Sequence, residues 1–277
     1  MSGSDHGAEI KPQKPVAPSN SLDLRALTPA RIALNRTGDS ITTRHALEFS
    51  LAHAQARDAV HSALAVPSLL SALRQRNLAT IAVRSAASTR TEYLRRPDLG
   101  RTLAPASAAL LASQPATDNL QPATLTIILA DGLSALATER HALPVLDALL
   151  KLLRIGEPDA TWQLTPIVVA ERARVALGDE VGAALHADAT VILIGERPGL
   201  SSPDSLGAYI TWAPRPGRTD AERNCVSNIR ADGIDYATAA AKIAWYISEG
   251  RRLGLTGVAV RESDPAAPIH SLNSPRL

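Results

Sequence analysis

The chain has 277 residues, 45% hydrophobic and 20% charged, enough to build a sizeable core in one large domain or one medium domain with a helical appendage. Aromatics make up only 3%, the formal net charge is +2, and no dense basic patch occurs, which argues against nucleic acid or membrane-surface partners. No apolar run approaches the ~20 residues of a membrane span. A single cysteine, Cys225, excludes an internal disulfide and a multi-cysteine metal site and fits a reducing, intracellular setting.

Residues 1–21 are rich in Ser, Pro, Lys and Gly, lack the apolar core of a signal peptide, and read as a disordered lead-in. Residues 22–120 read as a mainly helical region. Leu22 to Arg36 suggests a short helix and a loop, with Thr28 as cap and Pro29 at the first helical position. Asn35 to Ser40 is a turn, Thr42 onward is a long helix free of Pro and Gly, and Pro67 to Arg76 is a second helix. His45, His53 and His61 repeat every eight residues, a spacing that drifts around the helix instead of stacking ligands one turn apart. They read as polar positions on a partly exposed helix. Thr80 to Arg84 is a short strand. The arginine-dense turn Arg95-Arg96-Pro97-Asp98-Leu99-Gly100-Arg101 is either a solvated turn or a contact for a carboxylate, a phosphate or an acidic partner.

From residue 121 to 262 strands and helices alternate. Strands are expected over Leu125 to Ala130, Pro166 to Ala170, Thr190 to Ile194, Ala208 to Trp212 and Gly257 to Val260. Helices are expected after Ser134 to Leu150, around Asp179 to His186, and from Tyr236 to Arg252, with a long loop before the last of these. This rhythm predicts an α/β fold: an N-terminal helical region followed by a doubly wound, mostly parallel, Rossmann-like sheet. Residues 263–277 read as a flexible tail.

In such a sheet ligands bind where strands end in loops. Two loops stand out: Asp131-Gly132-Leu133-Ser134 after one strand, and Gly195-Glu196-Arg197-Pro198-Gly199 after another. Neither a G-x-G-x-x-G dinucleotide motif nor a P-loop occurs. Gly132-Leu133-Ser134 partly matches a hydrolase nucleophile elbow but lacks its last glycine, and helix capping by Asp131 or Ser134 is the alternative. Glu196 and Arg197 form either a surface ion pair or a ligand clamp. Cys225 is either a small buried hydrophobe or, among its polar flanks, a residue near a ligand.

The strings LAHAQARDAV, YLRRPDLGR, ADGLSA, RVALGDEVG, LIGERPGL, SPDSLGAY and DAERNCVSNIR carry a resemblance. In this order, from Leu24 to Val260, the chain resembles the small (light) subunit of ethanolamine ammonia-lyase. The resemblance implies an adenosylcobalamin-dependent carbon–nitrogen lyase that converts ethanolamine to acetaldehyde and ammonia. Homolysis of the cobalt–carbon bond would start the reaction, and a 5′-deoxyadenosyl radical would abstract hydrogen from the substrate. It implies a hetero-oligomer with a large, TIM-barrel subunit that holds the substrate, cobalamin between the two, and a cytoplasmic setting within a bacterial microcompartment. Matched position by position, the cobalamin contacts fall on Val175, Glu196 and Cys225, with no catalytic residue in this chain. Because a thiol readily gives up a hydrogen atom, Cys225 is expected on the nucleotide side of the cofactor. No D-x-H-x-x-G string occurs, so the benzimidazole is expected to stay on cobalt. The alternatives are a free-standing α/β module binding cobalamin or a nucleotide, and a hydrolase using Ser134.

Overall fold

The computed structural model describes residues 27–115, except 29, 33 and 35, and residues 123–261. The expected lead-in and tail lie outside these residues. The chain divides into two units, residues 1–47 and 48–277. In the first, β1 (Arg36–Thr37) and β2 (Ser40–Ile41) form an antiparallel hairpin around Gly38, whose φ of +61° suits the tight turn. Thr28 accepts a hydrogen bond from the Ala30 amide, but Ala30 to Ile32 are not helical, so no helix follows Thr28 among the described residues; residues 22–26 and Pro29 of the expected helix lie outside them. The helix α1 (Thr43–His61) starts in this unit and continues into the second. His45 on it is buried while His53 and His61 are exposed, and no residue cluster suited to a metal occurs among the described residues.

The second unit is built on a seven-stranded sheet. Its strands are β3 (Thr80–Arg84), β4 (Ala123–Ala130), β5 (Trp162–Leu164), β6 (Ile167–Glu171), β7 (Ala189–Gly195), β8 (Leu206–Trp212) and β9 (Asn224–Ile229). They lie in the order β3-β6-β4-β7-β8-β9, with β5 against the start of β4. All pairings from β3 through β7 are parallel, and β8 and β9 are antiparallel additions. β5 and β6 flank the same edge of β4 and are separated by Thr165-Pro166. Proline has no amide to give the ladder, which accounts for the break.

The central strands are buried on both faces, which is why they read as unbroken apolar runs. On one face Leu125, Ile127 and Leu129 pack with α2 (Val66–Arg74), α5 (Ala135–Leu152) and α7 (Tyr236–Leu253). On the other, Ile128, Ala130, Ile192 and Ile194 pack with α4 (Pro105–Ala112) and α6 (Leu177–Ala184). The sheet is thus wound on both sides. From β4 the chain passes through α5 to β6 on one side, then through α6 to β7 on the other, so the connections reverse at β4. Ligands of open α/β sheets bind at such a reversal, beyond the carboxyl ends of the strands.

Two further expectations are corrected. Gly257 to Val260 is a turn, because the Asn224 side chain pins it: its Nδ2 donates to the Gly257 and Val260 carbonyls, and the Gly257 amide donates back to Oδ1. The long loop expected before the last helix contains β9. The region between Ser85 and Leu103 also carries α3 (Arg90–Arg95), capped by the Thr89 hydroxyl. Among the described residues no helix is long and apolar enough to cross a membrane.

Candidate functional site

The loops after β4, β6 and β7 meet at the carboxyl edge. Asp131, at the end of β4, is 3% exposed and ties them together. It accepts from Arg90 Nη1 at 2.9 Å and from the Ala173 amide at 3.0 Å. Arg90 also donates to the Gly132 and Val60 carbonyls. Asp131 is therefore not the helix cap. Ser134 is: its hydroxyl accepts from the Ala137 amide and donates to the Pro203 carbonyl at 2.8 Å. Fully buried and committed in both directions, Ser134 is not an exposed nucleophile.

Pro203 belongs to the loop after β7, and the next residue is held as well. Asp204 accepts from Arg140 at 2.8 Å and pairs with His141 Nε2 at 3.2 Å. Burial pushes the Asp204 carboxyl up, but these two neighbours outweigh it and hold it below the ordinary value. This anchored segment returns Ser205 to the site.

Glu196 sits at the start of that loop. Its carboxylate accepts from Ser205 Oγ at 2.6 Å, Ser227 Oγ at 2.5 Å and the Asn228 amide at 3.2 Å. The last two donors come from a bulge in β9. Leu206 pairs with Ile229 and Ala208 with Val226, so three steps on β9 oppose two on β8. Asn228, at φ +60°, takes up the extra residue. Bulges of this kind re-aim side chains next to sites. No ion pair joins Glu196 to Arg197 among the described residues, so the surface-pair reading of these two falls away.

Val175 lies in the turn before α6. With Glu196, Leu133, Arg174 and Tyr209 it lines a cleft of about 420 Å³. A second cleft of about 430 Å³ shares Arg174, Val175 and Tyr209 with the first and extends to Arg101 and Arg218. Cys225 lies directly across from Tyr209 in the β8–β9 ladder and is exposed. Burial of the sulfur and the nearby Glu196 charge push its thiol up to about 11, against a hydrogen bond from Tyr209 that favours the thiolate. Val175 and Glu196 thus line one cleft, while Cys225 lines neither cleft and adjoins them through Tyr209, level with Ile192 in the middle of β7.

Several residues here carried no sequence signal. Tyr93 is fully buried, donates to the Ala173 carbonyl at 2.9 Å, and lies between the guanidinium groups of Arg90 and Arg174, 4.8 and 4.5 Å from its ring centre. Burial raises its phenol above the usual range. Ser205, Ser227 and Tyr209 are short-range products of the bulge and of the antiparallel turn-back, which composition does not announce. The arginine-dense turn resolves partly: Arg96 pairs with Asp98 in the open, while Arg101 reaches the second cleft.

The family described as ethanolamine ammonia-lyase light chain matches residues 18–261. The chain belongs to the ethanolamine ammonia-lyase light-chain family. It is 53% identical over 249 residues to the ethanolamine ammonia-lyase small subunit of Bradyrhizobium diazoefficiens, covering 90% of this chain and 93% of that one. It is 51% identical over 251 residues to that of Azotobacter vinelandii, covering 91% of each. Against the Xanthomonas campestris pv. campestris small subunit it is 51% identical over 239 residues, covering 86% of each. Membership places the carboxyl-edge clefts in the light chain of a lyase family.

Proposed function

We propose that this chain is the small subunit of an adenosylcobalamin-dependent ethanolamine ammonia-lyase and forms one wall of its cobalamin site. The observation that carries the reading is the cleft that Val175 and Glu196 line together with Tyr209, whose partner across the β8–β9 ladder is Cys225. The donor set fits a corrin, an apolar ring rimmed with primary amides. Val175 and Leu133 offer apolar surface. Glu196, oriented by three donors, keeps acceptor capacity for an amide N–H, and a charged acceptor makes the stronger bond. Arg174 Nε is buried without an acceptor, a polar atom that a ligand would satisfy.

The cofactor supplies radical chemistry by breaking its cobalt–carbon bond. This chain's residues bind and orient. Cys225 stays protonated at neutral pH, so its sulfur serves as a weakly polar contact and not as a thiolate ligand. We place it on the nucleotide side, away from the adenosyl group, and we place benzimidazole on cobalt, since no D-x-H-x-x-G string offers a histidine. Ethanolamine to acetaldehyde plus ammonia is redox-neutral, so no residue here is required to accept electrons. Each cleft is far smaller than a cobalamin. The remaining wall and the substrate site belong on this reading to a large subunit, in a cytoplasmic hetero-oligomer housed in a bacterial microcompartment. Domain limits of 22–120 for the N-terminal region and 121–262 for the Rossmann-like, cobalamin-contacting region complete the proposal.

The test is ammonia release from ethanolamine with adenosylcobalamin, using this chain alone, the large subunit alone, and both. Activity only in the mixture supports the reading. A folded complex without activity overturns the substrate or partner assignment, and binding of cobalamin by the isolated chain would favour a free-standing module.

A further inference from the structure

We propose that the second cleft is a phosphate site, formed by Arg174, Arg101 and the backbone amides of Val175 and Ala176, and that it takes the phosphodiester of the cofactor's nucleotide arm. The inference rests on the cobalamin reading for the identity of its ligand, but not for the site itself. Four arginines line this cleft. Two are neutralised within the protein. Arg223 makes a bidentate bond to Asp179 with both side chains 2% exposed, and Arg218 pairs with Glu222. Thr219 is occupied too, its hydroxyl donating to Glu222.

The other two arginines are uncommitted. Arg101 makes no side-chain hydrogen bond or ion pair among the described residues. Arg174 is held by the Tyr93 ring and by a long 3.5 Å contact from Nη2 to the Tyr93 carbonyl, while its buried Nε meets no acceptor. A buried donor without a partner costs free energy that an incoming oxyanion would recover. Beside it, the Val175 and Ala176 amides donate to no group among the described residues, and Ala176, the N-cap of α6, has only a methyl side chain, which cannot cap them. Asp220 is the one carboxylate on the lining; it accepts from Arg223 Nε at 3.4 Å, and its side chain is 92% exposed, so water screens it. What remains is two cations and two unpaired backbone N–H groups on the lining of a cleft of about 430 Å³, the donor set for a tetrahedral oxyanion. Because Arg174, Val175 and Tyr209 line both clefts, a single molecule on the Glu196 side reaches this one with an attached anionic arm.

The experiment compares cobalamin with cobinamide, which lacks the phosphate and nucleotide, binding to the complex of this chain with its large subunit. Variants are Arg174→Gln and the exposed Arg101→Gln, which does not threaten folding. Each is expected to weaken cobalamin binding about tenfold or more while leaving cobinamide within about twofold. Equal losses for both corrinoids, or no loss for either, overturn the proposal. In parallel, inorganic phosphate is titrated into the full-length chain while the amide and arginine Nε–H resonances are followed. If the wild-type complex binds neither corrinoid, the cobalamin reading fails, and this titration decides the site: saturable shifts at Arg174, Val175 and Ala176 keep a phosphate site, and their absence overturns it.

Discussion

Gly132 and Gly195 face each other across the ends of β4 and β7, so close that a Cβ on Gly132 would lie 2.1 Å from the Gly195 carbonyl oxygen. The Leu133 amide donates to that same oxygen at 2.9 Å. A Cβ on Gly195 would in turn lie 2.0 Å from the Ser134 carbonyl oxygen. These contacts bring the loop carrying Ser134 against the loop carrying Glu196. Gly132 also sits at φ +52°, where a side chain is strained. Gly132→Ala is therefore expected to lower stability by at least about 2 kcal/mol, strain and clash together. Urea denaturation measures this, and a loss below about 0.5 kcal/mol would mean that the loops part freely.

How much of this was legible follows from burial. β4, β6 and β7 are covered on both faces, so they appear as apolar runs ending at a glycine or a charge, and the loops after them could be picked out. β9 was not legible, because it is an outer strand with a bulge. Val226 and Ile229 both face the core but stand three residues apart, which breaks the period of two. Gly257 to Val260 misled for the opposite reason: it has strand composition, yet the Asn224 amide already satisfies its backbone. Of the site, the glutamate and cysteine could be named from motifs. The Tyr93 stack and the Asp131 hub join segments forty or more residues apart and have no local pattern.

Two Arg–Asp ion pairs in this protein differ in burial. Arg223 and Asp179 are each 2% exposed, whereas Arg96 and Asp98 are 61% and 57% exposed. Removing one partner of a buried pair strands the other charge, so Asp179→Ala is expected to cost about 3–5 kcal/mol. Asp98→Ala is expected to stay within about 0.5 kcal/mol. Parallel denaturant melts check the contrast, and similar losses for both would show that the buried pair is hydrated.

Glu222 closes a capping box with Thr219 and pairs with Arg218. The Thr219 backbone amide, then Arg218 and the Thr219 hydroxyl, hold its carboxyl down at about 2, against an ordinary 4.5. A depressed folded-state value means the contribution is fully present above about 4.5 and is lost as pH falls toward 2. Glu222→Gln keeps an acceptor for the Thr219 amide but does not titrate. Its stability curve is expected to be flatter than wild type between those two pH values, and superimposable acid limbs would show that Glu222 does not couple to folding.

Cys225 is exposed, yet its thiol is pushed up to about 11 by burial of the sulfur and by the charge of Glu196. At pH 8 only about one molecule in a thousand then carries the reactive thiolate, against roughly a quarter for an ordinary cysteine. Iodoacetamide should modify this chain about a hundredfold more slowly than a free thiol at that pH, with a rate still climbing above pH 10. Glu196→Gln removes the one charge that disfavours the thiolate and leaves burial in place, so it should move the profile to lower pH and speed labelling at pH 8. If Glu196→Gln leaves the profile unchanged, the charge of Glu196 does not reach the sulfur, and the pairing of these two residues at the candidate site would be wrong.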